Sequence, residues 1–161
     1  MLDKVEAYLK SSGFQSSDTI LVAVSGGADS MCLLHILQSL GVRMAVAHCN
    51  YGLRGNDSEM DEAFVKQWCD NHGIAFHSER FDTAELAATS DSSIQMVARD
   101  LRYAYFEALM DQFGYTLTAL GHHADDRIES LVLNLLRGTG IRGLQGMPSQ
   151  RGRFIRPLLA F

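Results

Sequence analysis

Apolar residues fall into short unbroken runs separated by longer stretches of helical period, and this rhythm sets the predicted order of elements. The run 20–24 predicts a buried strand, Ser25-Gly26-Gly27 interrupts it, and Met31, Leu34 and Leu37 then recur at helical spacing. A second strand is predicted over 42–47, ending at His48, after which Tyr51-Gly52-Leu53-Arg54-Gly55-Asn56 has the composition of a loop. Asp57 or Ser58 is placed to cap a helix that carries Met60, Phe64 and Trp68 on one face and stops near Gly73. Residues 74–81 alternate as a third strand. From about 93 to 110, Ile94, Val97, Ala98, Leu101, Tyr105 and Leu109 mark the clearest amphipathic helix. Arg99, Arg102 and Phe106 gather on its second face, so that two cations project from an anchored helix toward a ligand. A fourth strand is predicted over 115–120. Gly121-His122-His123 then turns into a helix with Ile128, Leu131, Val132, Leu135 and Leu136 on its core side and Asp126 with Glu129 as a capping pair. Gly138, Gly140, Gly143 and Gly146 follow as a loop, and 154–159 predicts a last strand.

Strands alternating with helices in this way imply an α/β fold: a doubly wound, mostly parallel, Rossmann-like sheet with helices on both faces and ligands at the carboxyl ends of the strands. Four polar groups fall at or beside those ends: 25–30, 48–54, 122–129 and the helix arginines. A chain of 161 residues, 47% of them hydrophobic, suffices for one domain around one core, and a second full domain would not fit.

Charge refines this picture. The net charge of −5 argues against a nucleic-acid partner, yet Arg137, Arg142, Arg151, Arg153 and Arg156 all lie in a C-terminal stretch without Asp or Glu. That stretch reads as a cationic arm on an acidic body. Cys32, Cys49 and Cys69 are widely spaced in apolar surroundings and suggest reduced core residues rather than disulfides, thiolate metal ligands or a redox pair. No run reaches the roughly 20 apolar residues of a membrane-spanning helix, and Met1 leads into Asp3, Lys4 and Glu6, so a cytoplasmic protein without membrane attachment is expected.

Ser25-Gly26-Gly27-Ala28-Asp29-Ser30 carries the most specific chemistry. It opens a helix directly after a buried strand, where unpaired amides and two hydroxyls converge on one point suited to an anion. The paired glycines let the backbone approach phosphate oxygens closely. The loop lacks Gly-Lys-Ser/Thr and is not a Walker A loop. A carboxylate inside such a turn would repel phosphate unless a cation lay between them, which makes Asp29 a candidate Mg²⁺ ligand. The plainer reading, turn and cap residues only, suits Ser-Gly-Gly by itself but not the complete hexad after a strand.

The hexad resembles the pyrophosphate-binding loop of the N-type ATP pyrophosphatases, also called PP-loop enzymes. Three further segments, His48-Cys49-Asn50-Tyr51-Gly52-Leu53-Arg54-Gly55, His122-His123-Ala124-Asp125-Asp126-Arg127-Ile128-Glu129 and Leu135-Leu136-Arg137-Gly138-Thr139-Gly140, are similar to the tRNA(Ile)-lysidine synthetase family in order and spacing. Ala98-Arg99-Asp100-Leu101-Arg102-Tyr103 matches as well. Tyr51 departs from the histidine more common there, and Arg127 and Ser130 stand where Gln and Thr are common. The resemblance implies one catalytic domain over 1–161. Family members continue past Arg156-Pro157-Leu158-Leu159 into helical domains that grip tRNA.

It also implies a reaction in two steps: ATP adenylates the wobble cytidine of an isoleucine tRNA with loss of pyrophosphate, and the amine of free lysine then displaces AMP from the activated ring carbon. Ser25, Gly26, Gly27, Ala28, Asp29, Ser30 and His48 are the expected ATP-binding residues. Asp29, Arg102 and His122 are expected to be catalytic, with Arg102 offsetting charge on the α-phosphate. Asp126 and Glu129, three apart on one helix, would hold lysine, and Arg54, Arg137 and Arg142 would contact tRNA. Each of these has a plainer role when taken singly, as a cap, an ion-paired arginine or a strand-end histidine, and only their co-occurrence favours function. ATP and Mg²⁺ are the implied cofactors, tRNA and lysine the partners, and the sequence leaves open whether the chain pairs as a homodimer. A related thiolating enzyme is the rival within this class, disfavoured by the lack of paired cysteines. A non-catalytic nucleotide-binding module is the rival outside it, disfavoured by Asp29, Asp126 and Glu129. By itself the chain is expected to bind ATP but to modify tRNA poorly.

Overall fold

The computed structural model describes residues 1–52, 55–82, 94–136 and 146–161. Its elements in chain order are α1 (Leu2–Ser11), β1 (Ile20–Ala23), α2 (Ala28–Ser39), β2 (Met44–Asn50), α3 (Asn56–His72), β3 (Ala75–Arg80), α4 (Ile94–Phe113), β4 (Leu117–Leu120), α5 (Ala124–Leu136), β5 (Gln150–Arg151) and β6 (Phe154–Ile155). The strands form one sheet in the order β3-β2-β1-β4-β6-β5. All neighbours run parallel except the β5–β6 hairpin, and the expected doubly wound α/β sheet is what the chain adopts.

Fully buried Ile20, Leu21 and Val22 place β1 at the centre, where both faces of a parallel sheet are covered. On one side Val22, Val46 and Ile155 meet Leu33, Leu34 and Leu37 of α2, Val65, Trp68 and Cys69 of α3, and Val5 and Leu9 of α1. On the other side Leu21, Ala45, Ala47 and Phe154 meet Phe106, Leu109 and Met110 of α4. Chain order reverses across β1, with β2 on one side and β4 on the other. A crevice therefore opens at the carboxyl ends of β1 and β4, where such sheets bind ligands.

Several expectations are corrected in detail. The second strand starts at Met44 and runs through His48 to Asn50, because its pairing with β3 continues to Arg80. On α3 the buried stripe is Val65, Trp68 and Cys69, while Met60 and Phe64 are 62% and 51% exposed. The helix is turned by one residue from the expected face. Phe106 is buried in the core stripe of α4 and also lines the cavity beside Arg102, as expected for that face. On α5, Ile128, Val132 and Leu136 are 58%, 46% and 80% exposed, and the side chains of Leu131 and Leu135, the other expected core residues, lie outside the described residues. The last predicted strand shortens to Phe154–Ile155, and Leu158 and Leu159 bury in a turn instead. Cys32 is exposed on α2, Cys49 is half-buried and Cys69 is buried, all as free thiols.

Candidate active site

A cavity of about 230 Å³ occupies the crevice between the ends of β1, β2 and β4. It is lined by Ser25, Gly27, Asp29 and Ser30 of the phosphate loop together with Arg102, His122 and Asp126.

The loop wall is shaped by two glycines. Gly26 turns the chain at φ +91°, a conformation that L side chains rarely adopt, and a Cβ there would also stand 3.1 Å from Asp61 Cβ on α3. Gly27 precedes α2 in an extended conformation, and no side chain caps the helix start. The hydroxyls brace the turn. Ser30 Oγ donates to Gly27 O at 2.9 Å and accepts from the Ser25 amide at 3.2 Å, while Ser25 Oγ accepts from the Gly27 amide at 3.3 Å. A rigid turn with an uncapped helix N-terminus behind it suits an anion. From across the sheet Gly121 supports the same turn, since a Cβ on it would sit 3.0 Å from Ser30 Cα and 3.1 Å from Ser30 N.

Arg102 projects from α4 between Ala98 and Phe106, both buried and each one turn away, so the apolar stripe of the helix anchors its cation at the cavity. Its Nε is buried without a hydrogen-bond partner among the described residues. Tyr51 lines the same cavity, donates to Ala98 O at 3.2 Å and stacks on Phe81 with ring centroids 5.7 Å apart. Cys49, also at the cavity, is pushed up to about 11 by burial, so its thiol stays protonated near neutral pH.

After β4 the chain delivers three polar residues in sequence. His122 is shifted down to about 4, first by burial and then by the Arg156 guanidinium, with Asp126 opposing and Arg102 and Arg99 reinforcing the effect. It is therefore neutral at pH 7, and its Nδ1 is buried without a partner among the described residues. His123 and Asp126 form a reciprocal helix cap: Asp126 Oδ2 accepts from the His123 amide at 2.8 Å, and His123 Nδ1 accepts from the Asp125 amide at 3.3 Å. This pair replaces the expected pairing of Asp126 with Glu129. His123 Nε2 lies 3.5 Å from Asp29 Oδ2 and 3.6 Å from Asp126 Oδ2.

Of the residues singled out from sequence, Ser25, Gly27, Asp29, Ser30, Arg102, His122 and Asp126 meet at this cavity, with Gly26 and Ala28 in the same loop. His48 does not line it. The side chain of His48 is 2% exposed on the other face of β2, and its Nδ1 is 2.8 Å from Val24 O, so it buttresses the strand leading into the loop. Glu129 is exposed one turn beyond Asp126 and is not part of the cavity wall. Arg54, Arg137 and Arg142 lie outside the described residues.

Two participants were missed. His123 had its signal in the doubled histidine before an Asp-Asp pair. Arg156, expected on a cationic arm, is 3% exposed and donates to Pro148 O at 3.0 Å and to the Tyr103 hydroxyl at 3.4 Å. Its signal was an arginine inside the otherwise apolar run Phe154 to Leu159. Arg153 is likewise engaged, with Asp111 at 2.7 Å and Tyr115 O at 2.7 Å.

A glycine-lined anion loop at the switch point of a parallel sheet, with an arginine and a carboxylate lining the same cavity, defines a nucleotide-binding α/β domain. The chain belongs to the PP-loop family, whose domain description matches residues 2–161. It is 49% identical over 150 residues to a tRNA(Ile)-lysidine synthase of Chlorobaculum tepidum, covering 91% of this chain and 45% of that protein. Against a tRNA(Ile)-lysidine synthase of Bacteroides thetaiotaomicron the identity is 46% over 146 residues, covering 91% and 34%. The chain thus spans less than half the length of these curated relatives. The U34-tRNA thiolase NcsA of Methanococcus maripaludis, with its [4Fe-4S] cluster, shares the fold at TM-score 0.74 and 18% identity, covering 98% of this chain and 57% of that one. Among the described residues no helix is long and apolar enough to cross a membrane.

Proposed function

We propose that residues 1–161 form a single catalytic domain for lysidine formation in the cytoplasm: adenylation of the wobble cytidine of an isoleucine tRNA by ATP, then displacement of AMP by the amine of free lysine. The observation that carries this reading is one cavity lined both by the phosphate loop and by Arg102, His122 and Asp126. The two substrates of an adenylation and the amine that follows need such groups in one place. The similarity to the two synthases directs the choice of substrate.

In this reading the amides and hydroxyls of 25–30 bind the polyphosphate, and Arg102 faces the α-phosphate, where negative charge grows as pyrophosphate leaves. His122, neutral at pH 7, hydrogen-bonds without adding a charge beside Arg102 and Arg156. Asp126 receives the lysine ammonium, with Glu129 one turn on along the helix. Arg54, Arg137 and Arg142 contact the tRNA backbone, and most of the tRNA grip comes from parts of the relatives that this chain does not match.

Asp29 is the residue that would hold Mg²⁺, which offsets phosphate charge when bound. The Asp29 carboxylate lines the cavity beside the phosphate loop and is 63% exposed, and Mg²⁺ typically takes one or two carboxylates and completes its shell with phosphate oxygens and water.

The test is release of pyrophosphate and AMP from Mg²⁺ and ATP with wobble-cytidine tRNA and lysine added singly and together, in the wild type and Asp29→Ala. AMP release that needs both substrates and is lost in the variant is expected. Pyrophosphate release indifferent to lysine would point to another adenylating enzyme, and ATP binding without any release would point to a nucleotide-binding module.

A further inference from the structure

We propose that His123 is a positioning residue that ties the phosphate end of the site to its amine end, by presenting one N–H to both Asp29 and Asp126. The proposal rests on the functional reading above for what occupies the two ends.

The tautomer follows from the cap. His123 Nδ1 accepts the Asp125 amide, so in this arrangement it carries no proton and the ring hydrogen sits on Nε2. That nitrogen lies 3.5 Å from Asp29 Oδ2 and 3.6 Å from Asp126 Oδ2, longer than a hydrogen bond to either, so its N–H dipole attracts both carboxylates without bonding one of them alone. Asp126 is already fixed by its bond from the His123 amide, at the start of a helix. Asp29 is different: its side chain is 63% exposed, and His123 Nε2 is its close polar side-chain neighbour. Without the shared N–H, Asp29 loses this attraction and faces the Asp126 carboxylate without a dipole between them, so its carboxylate is less well held in place for a ligand. The same imidazole thus does two separable jobs, capping α5 through Nδ1 and holding Asp29 through Nε2.

Two substitutions separate these jobs. His123→Asn keeps an acceptor near the Nδ1 position, and Asn is a good N-cap, but it is too short to reach Asp29. His123→Gln places an N–H near the Nε2 position and sacrifices the cap. Thermal stability and the Kd for ATP with Mg²⁺ are measured on the same chain. His123→Asn is expected to melt close to wild type and bind Mg²⁺ with ATP about tenfold more weakly, the scale of losing one charge-assisted contact and the order it imposes. His123→Gln is expected to melt lower and to stay within about threefold of wild-type affinity. A purely structural role would give the reverse ranking, and wild-type affinity in His123→Asn overturns the proposal.

A ligand-free measurement decides the matter independently. Two-dimensional ¹⁵N spectra of the imidazole should report the Nε2–H tautomer in wild type, and Asp29→Asn should shift the His123 Nε2 resonance. An Nδ1–H tautomer, or indifference to Asp29→Asn, overturns the proposal even where ATP binding is intact. Absence of ATP binding in the wild type, with the tautomer and its Asp29 dependence as expected, would count against the functional reading alone.

Discussion

Gly121→Ala is the substitution whose effect can be worked out most directly. The added methyl carbon would stand 3.0 Å from Ser30 Cα, 3.1 Å from Ser30 N and 3.3 Å from the Asp29 carbonyl carbon, where ordinary contact begins at 3.4 Å. All three neighbours are backbone atoms of the first turn of α2, so no side-chain rotation relieves the overlap. The helix start must retreat by about 0.4 Å or more, or β4 must give way, and overpacking of this kind typically costs about 1–3 kcal/mol. For a domain of this size each kcal/mol lowers the melting temperature by about 2–4 °C, giving an expected fall of roughly 2–12 °C. The amides that move are those of the phosphate loop. Weakening the hydrogen bonds to a charged group by about 1.5–3 kcal/mol in all raises the Kd for ATP from about tenfold to somewhat over a hundredfold. Gly41→Ala serves as the control. Gly41 sits at φ +67° with nothing within 4 Å of its Cβ position, so alanine there strains the backbone without touching the site. Calorimetric titration with ATP and Mg²⁺, alongside thermal melts of both variants, separates the two effects. If Gly121→Ala binds ATP within twofold of wild type while melting no lower than Gly41→Ala, the close approach of β4 to the loop does not govern the site.

Thr118 is fully buried and its hydroxyl has no partner among the described residues, so Thr118→Val should leave stability unchanged or raise it by up to about 1 kcal/mol in denaturant titrations; a loss greater than that refutes the reading. His122 is depressed to about 4, so between about pH 6.5 and 4 the unfolded chain binds a proton that the folded chain refuses, and stability falls as pH falls through that window. Discounted for partial exposure, this amounts to about 1–2 kcal/mol, and His122→Asn should lose correspondingly less stability between pH 7 and 4.5 than wild type. Arg156→Met removes the cation nearest in effect to His122 and the two hydrogen bonds that a buried guanidinium donates to Pro148 O and the Tyr103 hydroxyl. It should lower stability by about 2–4 kcal/mol and raise the His122 pKa in an NMR titration; an unchanged His122 would show that burial acts alone.

The parts of the fold that rest on local sequence were legible. Ile20 to Val24 could only be a covered strand, and the hexad after it could only be a turn into a helix. What was not legible depended on which side of an element met the body. Met60 and Phe64 share a helical face with Trp68, yet only a rotated stripe is covered, because the position of β2 and β3 beneath α3 is a tertiary fact. Ile128 and Val132 looked like core for the same reason, although the turn before them faces the crevice with polar groups. At the site, residues at strand ends were placed correctly by topology. His48, at a strand end by sequence, fell to the wrong face because side chains alternate across a strand and one residue of register decides between cavity and core. Arg156 hid among charges that look alike in sequence and differ only in burial.

The strand order also carries a consequence for how the molecule assembles. The central strand β1 pairs with β2, about two dozen residues away, but its other neighbour β4 begins at Leu117. Chain synthesis and local folding can complete β1, α2, β2, α3 and β3 while one edge of β1 is still bare, and such distant parallel pairing closes slowly. The phosphate loop exists in that half-built sheet, but Gly121, His122, His123 and Asp126 do not yet stand opposite it. Nucleotide affinity therefore arrives with the final long-range closure, and ATP would stabilise only chains that have completed it.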